Sequence, residues 1–173
     1  LHQNPREVYR PVSIFRTTQT HILQVRPELP QAIGRVNYVA LGMADLGVFL
    51  PLYQGVRSYP KAYTKGTNHS SHDSAYWKFR KVQALGMVNY NRYAPLIKET
   101  YAAFEAEADQ RQREMEEQYL AIYQTQPLHA RDLLQAFSDH VLRSALEVTD
   151  QLIETLFTHL TINIQAEYEF HGA

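Results

Sequence analysis

The chain has 173 residues, 45% of them hydrophobic and 20% charged, a composition that excludes disordered and fibrous classes and leaves room for a real core. Seventeen basic and eighteen acidic side chains give a net charge of −1, so long-range attraction drives it toward neither nucleic acid nor an anionic membrane. The absence of cysteine removes disulfides, thiolate metal sites and any cysteine nucleophile from these residues.

No window reaches the roughly 18 continuous apolar residues of a membrane span, and Leu1 to Arg10 lack the apolar centre of a signal peptide. A cytoplasmic protein is expected. The chain opens on Leu1 rather than methionine, which reads as a fragment or processed product.

Val12-Ser13-Ile14-Phe15 and Thr20 to Val25 are β-branched or aromatic runs separated by Arg16-Thr17-Thr18-Gln19, and they read as one long strand or a tight pair. Pro27 and Pro30 mark the connection that follows, since proline gives no ladder donor. Arg35 to Leu41 and Gly47 to Tyr53 are the next strand candidates, with Gly42 and Asp45 between them, and their close spacing predicts an antiparallel meander. From 59 to 72 apolar periodicity fails, and Pro60, Gly66, Asn68, Ser70 and Ser71 offer turn chemistry, so a long loop is expected, a candidate site wall. Ser71 or Asp73 is then placed to cap a helix that runs to about Leu85, where Gly86 allows a stop.

Beyond it the period becomes helical. Ile97, Tyr101, Phe104, Ala108, Met115, Tyr119 and Ile122 trace one stripe over roughly 94–124; after Pro127, Leu134, Phe137, Val141, Ala145, Val148, Leu152, Leu156 and Leu160 trace a second over about 130–166. Two such helices fold back as an antiparallel hairpin that can cover one face of the sheet. The fold class is therefore α+β, with 1–58 mainly strands, 59–72 a loop and 73–173 mainly helices.

Chemistry is harder to read. His69-x-x-His72-Asp73 has metal-ligand residue types, but a polar loop entering a helix uses the same residues as solvated or capping groups, and no metal or other cofactor is expected. His21 could act as a base near neutral pH, although a strand histidine needs no such role. There is no Gly-x-Ser-x-Gly elbow, no Ser-x-x-Lys pair and no phosphate-binding glycine loop. Glu105, Glu107, Asp109, Glu114, Glu116 and Glu117 read as a solvated helix face, and Tyr76, Trp77 and Phe79 as mostly core.

The stretch from Arg10 to Arg26, followed by Val36-Asn37-Tyr38-Val39-Ala40-Leu41-Gly42, Gly47-Val48-Phe49-Leu50-Pro51-Leu52-Tyr53 and Ser74-Ala75-Tyr76-Trp77-Lys78-Phe79-Arg80, resembles in order and spacing the dipeptidase A family of N-terminal-nucleophile cysteine hydrolases. The resemblance implies a cysteine-type enzyme acting on dipeptides, built as a four-layer α-β-β-α sandwich, of which this chain would be the C-terminal portion of one domain. It implies a nucleophilic cysteine at a matured N-terminus, whose own α-amino group, titrating near pH ~7.7–8.0, moves the proton. That cysteine is not among these residues, so the fragment is expected to be inactive alone and to need a missing N-terminal half.

Related hydrolases carry an arginine and an asparagine near the nucleophile, and the nominees here are Arg16, to orient the thiolate or a substrate carboxylate, and Asn37, as an oxyanion donor. Asn68 and His69 in the loop are candidates for substrate contact. Two alternatives stand beside this reading: a noncatalytic module that binds a partner or forms a homo-oligomer through its helical hairpin, and a hydrolase of the same class acting on another amide.

Overall fold

The structure, a computed structural model, describes residues 13–171. Three strands, β1 (Gln19–Val25), β2 (Arg35–Leu41) and β3 (Leu50–Tyr53), form an antiparallel sheet in the order β1-β2-β3, the expected meander. A single helical turn, α1 (Gln31–Gly34), joins the first two, and the long helices α2 (Ala75–Val88), α3 (Tyr90–Ile122) and α4 (Pro127–His171) follow. The α+β class read from the sequence is the one the chain adopts.

Register follows from alternation. Thr20 lies opposite Ala40, Leu23 opposite Asn37 and Val25 opposite Arg35, while Asn37 faces Leu52 and Val36 faces Tyr53 across the second pair. Val36, Ala40 and Tyr53 are buried against the helices, so the odd-numbered positions Arg35 and Asn37 fall on the other face of β2.

Two of the expected strands are shorter in the structure. Ser13 to Phe15 forms no strand, and a turn at Phe15 and Arg16 leads into β1; Val12 lies outside the described residues. β3 begins at Leu50 rather than Gly47: a 3-10 turn at Ala44–Leu46 precedes it, and the Phe49 amide donates to the Glu105 carboxylate at 2.7 Å instead of to a neighbouring strand.

The sheet and α2 are joined by one buried glutamine. Gln83, fully buried on α2, accepts from the Met43 amide at 3.1 Å and donates to the Leu41 carbonyl at 2.9 Å, which completes the backbone pairing where β2 ends. Gly42 makes room for it: its φ is +84°, and a Cβ there would lie 2.2 Å from the Gln83 Oε1.

The helices differ from expectation mainly at their ends. α2 passes through Gly86 to Val88, because that glycine permits close packing: a Cβ would lie 2.6 Å from the Ile97 Cδ1. Asn89 then starts α3 a turn earlier than expected by accepting from the Arg92 amide at 3.3 Å, and the helix tolerates Pro95 in its second turn. Pro127 opens α4 instead of merely interrupting, since its missing N–H needs no partner at a first helical position.

α3 and α4 are antiparallel, as shown by Tyr101 against Thr149 at 3.2 Å and by the Asn163 side chain donating to the Tyr93 hydroxyl at 2.7 Å. Their stripes bury Ile97, Tyr101, Ala108, Met115 and Tyr119 against Leu134, Phe137, Val141, Ala145, Leu152 and Leu156. One cluster packs α2 between the start of α3 and the second half of α4; the other packs Ile33, Val36 and Tyr53 against the end of α3 and the start of α4. Each fully buried leucine in these seams contributes about 2 kcal/mol through area removed from water.

Candidate functional site

The other face of the sheet carries a groove. It is an open depression of about 380 Å³ lined by Leu23 and Val25 of β1, Arg35 and Asn37 of β2, Leu52 of β3, and Gln54 and Tyr59 just beyond, with parts of Gln24, Val36 and Tyr53 at its base. Leu23, Asn37 and Leu52 stand in one cross-strand row, so the polar amide is flanked by two aliphatic side chains.

Asn37 Oδ1 is buried and finds no hydrogen-bond partner among the described residues. An acceptor held out of water in this way costs about 1–3 kcal/mol unless something donates to it. Beside it Arg35 is exposed, and its Nη1 donates to the Gln54 Oε1 at 3.2 Å. Burial pushes the Tyr59 phenol above its ordinary range, so the wall it forms stays neutral at physiological pH.

The groove is held rigid from behind. Arg26, at the end of β1, donates through Nη1 and Nη2 to the two Glu116 oxygens of α3 at 2.7 and 2.6 Å, and Nη2 also reaches the Ile33 carbonyl at 2.7 Å. The Tyr53 hydroxyl donates to the same carboxylate, and Gln112 donates to the Tyr38 hydroxyl at 2.9 Å. Burial alone would raise the Glu116 carboxyl, but the hydrogen bonds from Arg26 and Tyr53 outweigh it and hold the group below its ordinary value. All three strands are thereby fixed to one helix.

Arg16 lies elsewhere. It is exposed in the turn before β1, next to the Gln19–Leu41 end of the β1–β2 pair. Arg80 of α2 holds that turn, donating to the Phe15 carbonyl at 2.5 Å with its guanidinium 4.1 Å from the Phe15 ring centre, and the Asp45 amide donates to the Ser13 hydroxyl at 2.9 Å. Four strand residues, about 13 Å, separate this end of β2 from Asn37. The structure therefore does not bring Arg16 and Asn37 to one point.

Asn68 and His69 are exposed in the long loop, where the His69 amide turns back onto the Thr67 hydroxyl at 3.2 Å. The loop is tied down around them: Tyr63 donates to the Leu142 carbonyl at 2.8 Å, Ser74 to the Lys65 carbonyl at 2.8 Å, and the Trp77 indole to the Thr67 carbonyl at 3.0 Å. Asp73 pairs with Lys65 at 3.7 Å, and among the described residues no group of three His, Cys, Asp or Glu side chains converges as a metal site would require.

Reading the sequence alone missed Arg35, Gln54 and Tyr59 as groove residues, and it misjudged Glu105 and Glu116. Arg35 was legible from strand alternation, which places it two residues from Asn37 on the same face. Glu105 and Glu116 are half-buried rather than solvated, because with Gln112 they flank the stripe of Ala108, Met115 and Tyr119. Glu105 accepts from the Phe49 amide at 2.7 Å, and burial nevertheless holds its carboxyl above the usual carboxylate range. Glu107, Asp109, Glu114 and Glu117 are exposed as expected.

The model of peptidase family C69 matches residues 2–103. This chain belongs to peptidase family C69. The family match contains all three strands, the groove, the long loop, α2 and the start of α3.

Among curated proteins the chain is similar to a probable dipeptidase of Salmonella dublin, 60% identical over 63 residues, which is 36% of this chain and 14% of that protein. It is also similar to a probable dipeptidase A of Streptococcus pyogenes serotype M18, 33% identical over 88 residues (51% of this chain, 19% of that protein), and to dipeptidase A of Lactobacillus helveticus, 32% identical over 91 residues (53% and 19%). The chain thus spans less than a fifth of the length of these relatives in the matched region. No described helix is long and apolar enough to cross a membrane.

Proposed function

We propose that this C69 chain is the C-terminal portion of a cytoplasmic, cysteine-type dipeptidase of the N-terminal-nucleophile class, residues 1–173 forming part of one catalytic domain. The observation that carries the reading is the groove on the uncovered face of the sheet, inside the family match, with a polar amide at its centre. The nucleophile would come from a part of the polypeptide outside these 173 residues, which hold no cysteine, and the chain alone would be inactive.

The exposed side of the sheet supports such a junction. Leu23 and Val25 are 68% and 66% exposed there, apolar side chains of the kind that a further layer of the α-β-β-α sandwich would cover.

The chemistry balances without a cofactor. The cysteine thiol passes its proton to the α-amino group of the same residue, and the thiolate attacks the peptide carbonyl. The tetrahedral intermediate expels the C-terminal amino acid as an amine that takes the proton back, and water then hydrolyses the thioester, releasing the N-terminal amino acid. Asn37 would donate from Nδ2 to the oxyanion. Arg16 would act only on a nucleophile approaching the opposite end of the sheet, so the groove favours Asn37 over it. Asn68 and His69 would contact substrate only if the missing half turns the loop over the cleft.

Hydrolysis of Ala-Ala by the complete protein, lost when the leading cysteine is replaced by alanine, is the expected result; unchanged turnover in that variant would end the reading. A panel including acylated amino acids tests the alternative amidase specificity. An assembly role has its own support in Phe157 and Ile164, exposed one two-turn step apart on α4. Concentration-dependent sedimentation would reveal a homo-oligomer built on that stripe.

A further inference from the structure

We infer that Arg35 binds the free C-terminal carboxylate of the substrate. The inference rests on the dipeptidase reading above and deepens it. Arg35 is the single charged side chain lining the groove among the described residues, and it stands on the same face of β2 as Asn37, two residues away. That spacing is about 6.6 Å along a strand.

An asparagine carboxamide has the donor and acceptor of a peptide group, so Asn37 is complementary to one substrate amide. In a dipeptide the carboxylate follows that amide after a single Cα. A guanidinium two residues from Asn37 on the same strand face, on a side chain about as long as that spacing, can fold back to meet a carboxylate there.

The surroundings suit a charge pair. Leu23, Val25 and Leu52 make the walls aliphatic, so no other charged side chain lining the groove competes with a carboxylate for the charge-assisted hydrogen bonds of Arg35. Gln54 is a neutral partner: its Oε1 accepts from Nη1 at 3.2 Å and steadies the fork without neutralising it. The same walls can pack against the side chain of the C-terminal residue without polar selection, which predicts breadth in that residue and strictness about the carboxylate.

The test compares Ala-Ala, Ala-Ala amide and Ala-Ala-Ala as substrates of the complete protein and of its Arg35→Gln and Arg35→Lys variants. Thermal unfolding serves as a check that these exposed substitutions leave the fold intact. The wild type should prefer the free dipeptide; Arg35→Gln should raise KM for Ala-Ala by about ten-fold or more, leave kcat/KM for the amide unchanged and so erase the preference. Arg35→Lys should fall between, because it keeps the charge and loses the planar fork.

Equal loss on dipeptide and amide, or no change in either, would overturn the role of Arg35 while leaving the dipeptidase reading standing. A wild type that cleaves none of the three would overturn both.

Discussion

The two faces of the sheet are finished to different degrees. On the helical side Val36, Ala40 and Tyr53 are packed to 2% exposure or less, and α3 is clamped to β1 and β3 through the Arg26–Glu116–Tyr53 network. On the other side Leu23 and Val25 stand more than 60% exposed around an amide whose oxygen has no partner among the described residues. The contrast separates what holds this chain together from what it offers to something else. A closed core needs nothing further, whereas an apolar, half-satisfied surface is stable only if another layer or a ligand completes it.

Substitutions on the two sides should differ accordingly. Leu142→Ala, in a fully buried seam position, should cost about 3 kcal/mol in denaturant unfolding of this chain. A loss under ~1 kcal/mol would mean that the seam is looser than the structure shows.

Glu116→Gln keeps an acceptor for Tyr53 but leaves the half-buried Arg26 charge unpaired, and about 2 kcal/mol should be lost at neutral pH. The pH dependence has a definite sign. Because the Glu116 carboxyl is held below its ordinary 4.5, its stabilisation is fully present above that pH and disappears as pH falls through the lower folded value. Stability measured downward from pH 5 should therefore fall more steeply in the wild type than in the Gln variant. Parallel curves would show that the clamp carries no such linkage.

Val25→Lys on the open side should change the stability of this chain by less than ~0.5 kcal/mol, and it should impair the complete protein if that face is covered there. Tolerance in both settings would mean that β1 is an ordinary exposed edge.

Much of this division was legible in residues. β2 was readable to its ends, since Arg35 to Leu41 is rich in β-branched and aromatic residues and flanked by Gly34 and Gly42, and both helical stripes were visible because about seven turns repeat one period. Segments that tertiary contacts override were not legible. Ser13 to Phe15 has the composition of a strand but forms a turn held by Arg80, 65 residues away, and Gly86 resembles a helix stop only until Ile97 is seen against it.

The candidate site was half visible. Asn37 and its strand could be named, but the groove depends on three strands in register and on Gln54 and Tyr59 beyond them. Glu116 looked like one acid in a solvated run because the arginine it meets lies 90 positions earlier.

We propose that these residues shape a peptidase cleft whose reacting thiol is supplied by another part of the polypeptide. The direct measurement is Ala-Ala hydrolysis by the purified 173-residue chain alongside the complete protein at equal concentration. Turnover by the complete protein and none by the chain is expected; dipeptide cleavage by the chain alone, abolished by Asn37→Ala, would overturn the proposal.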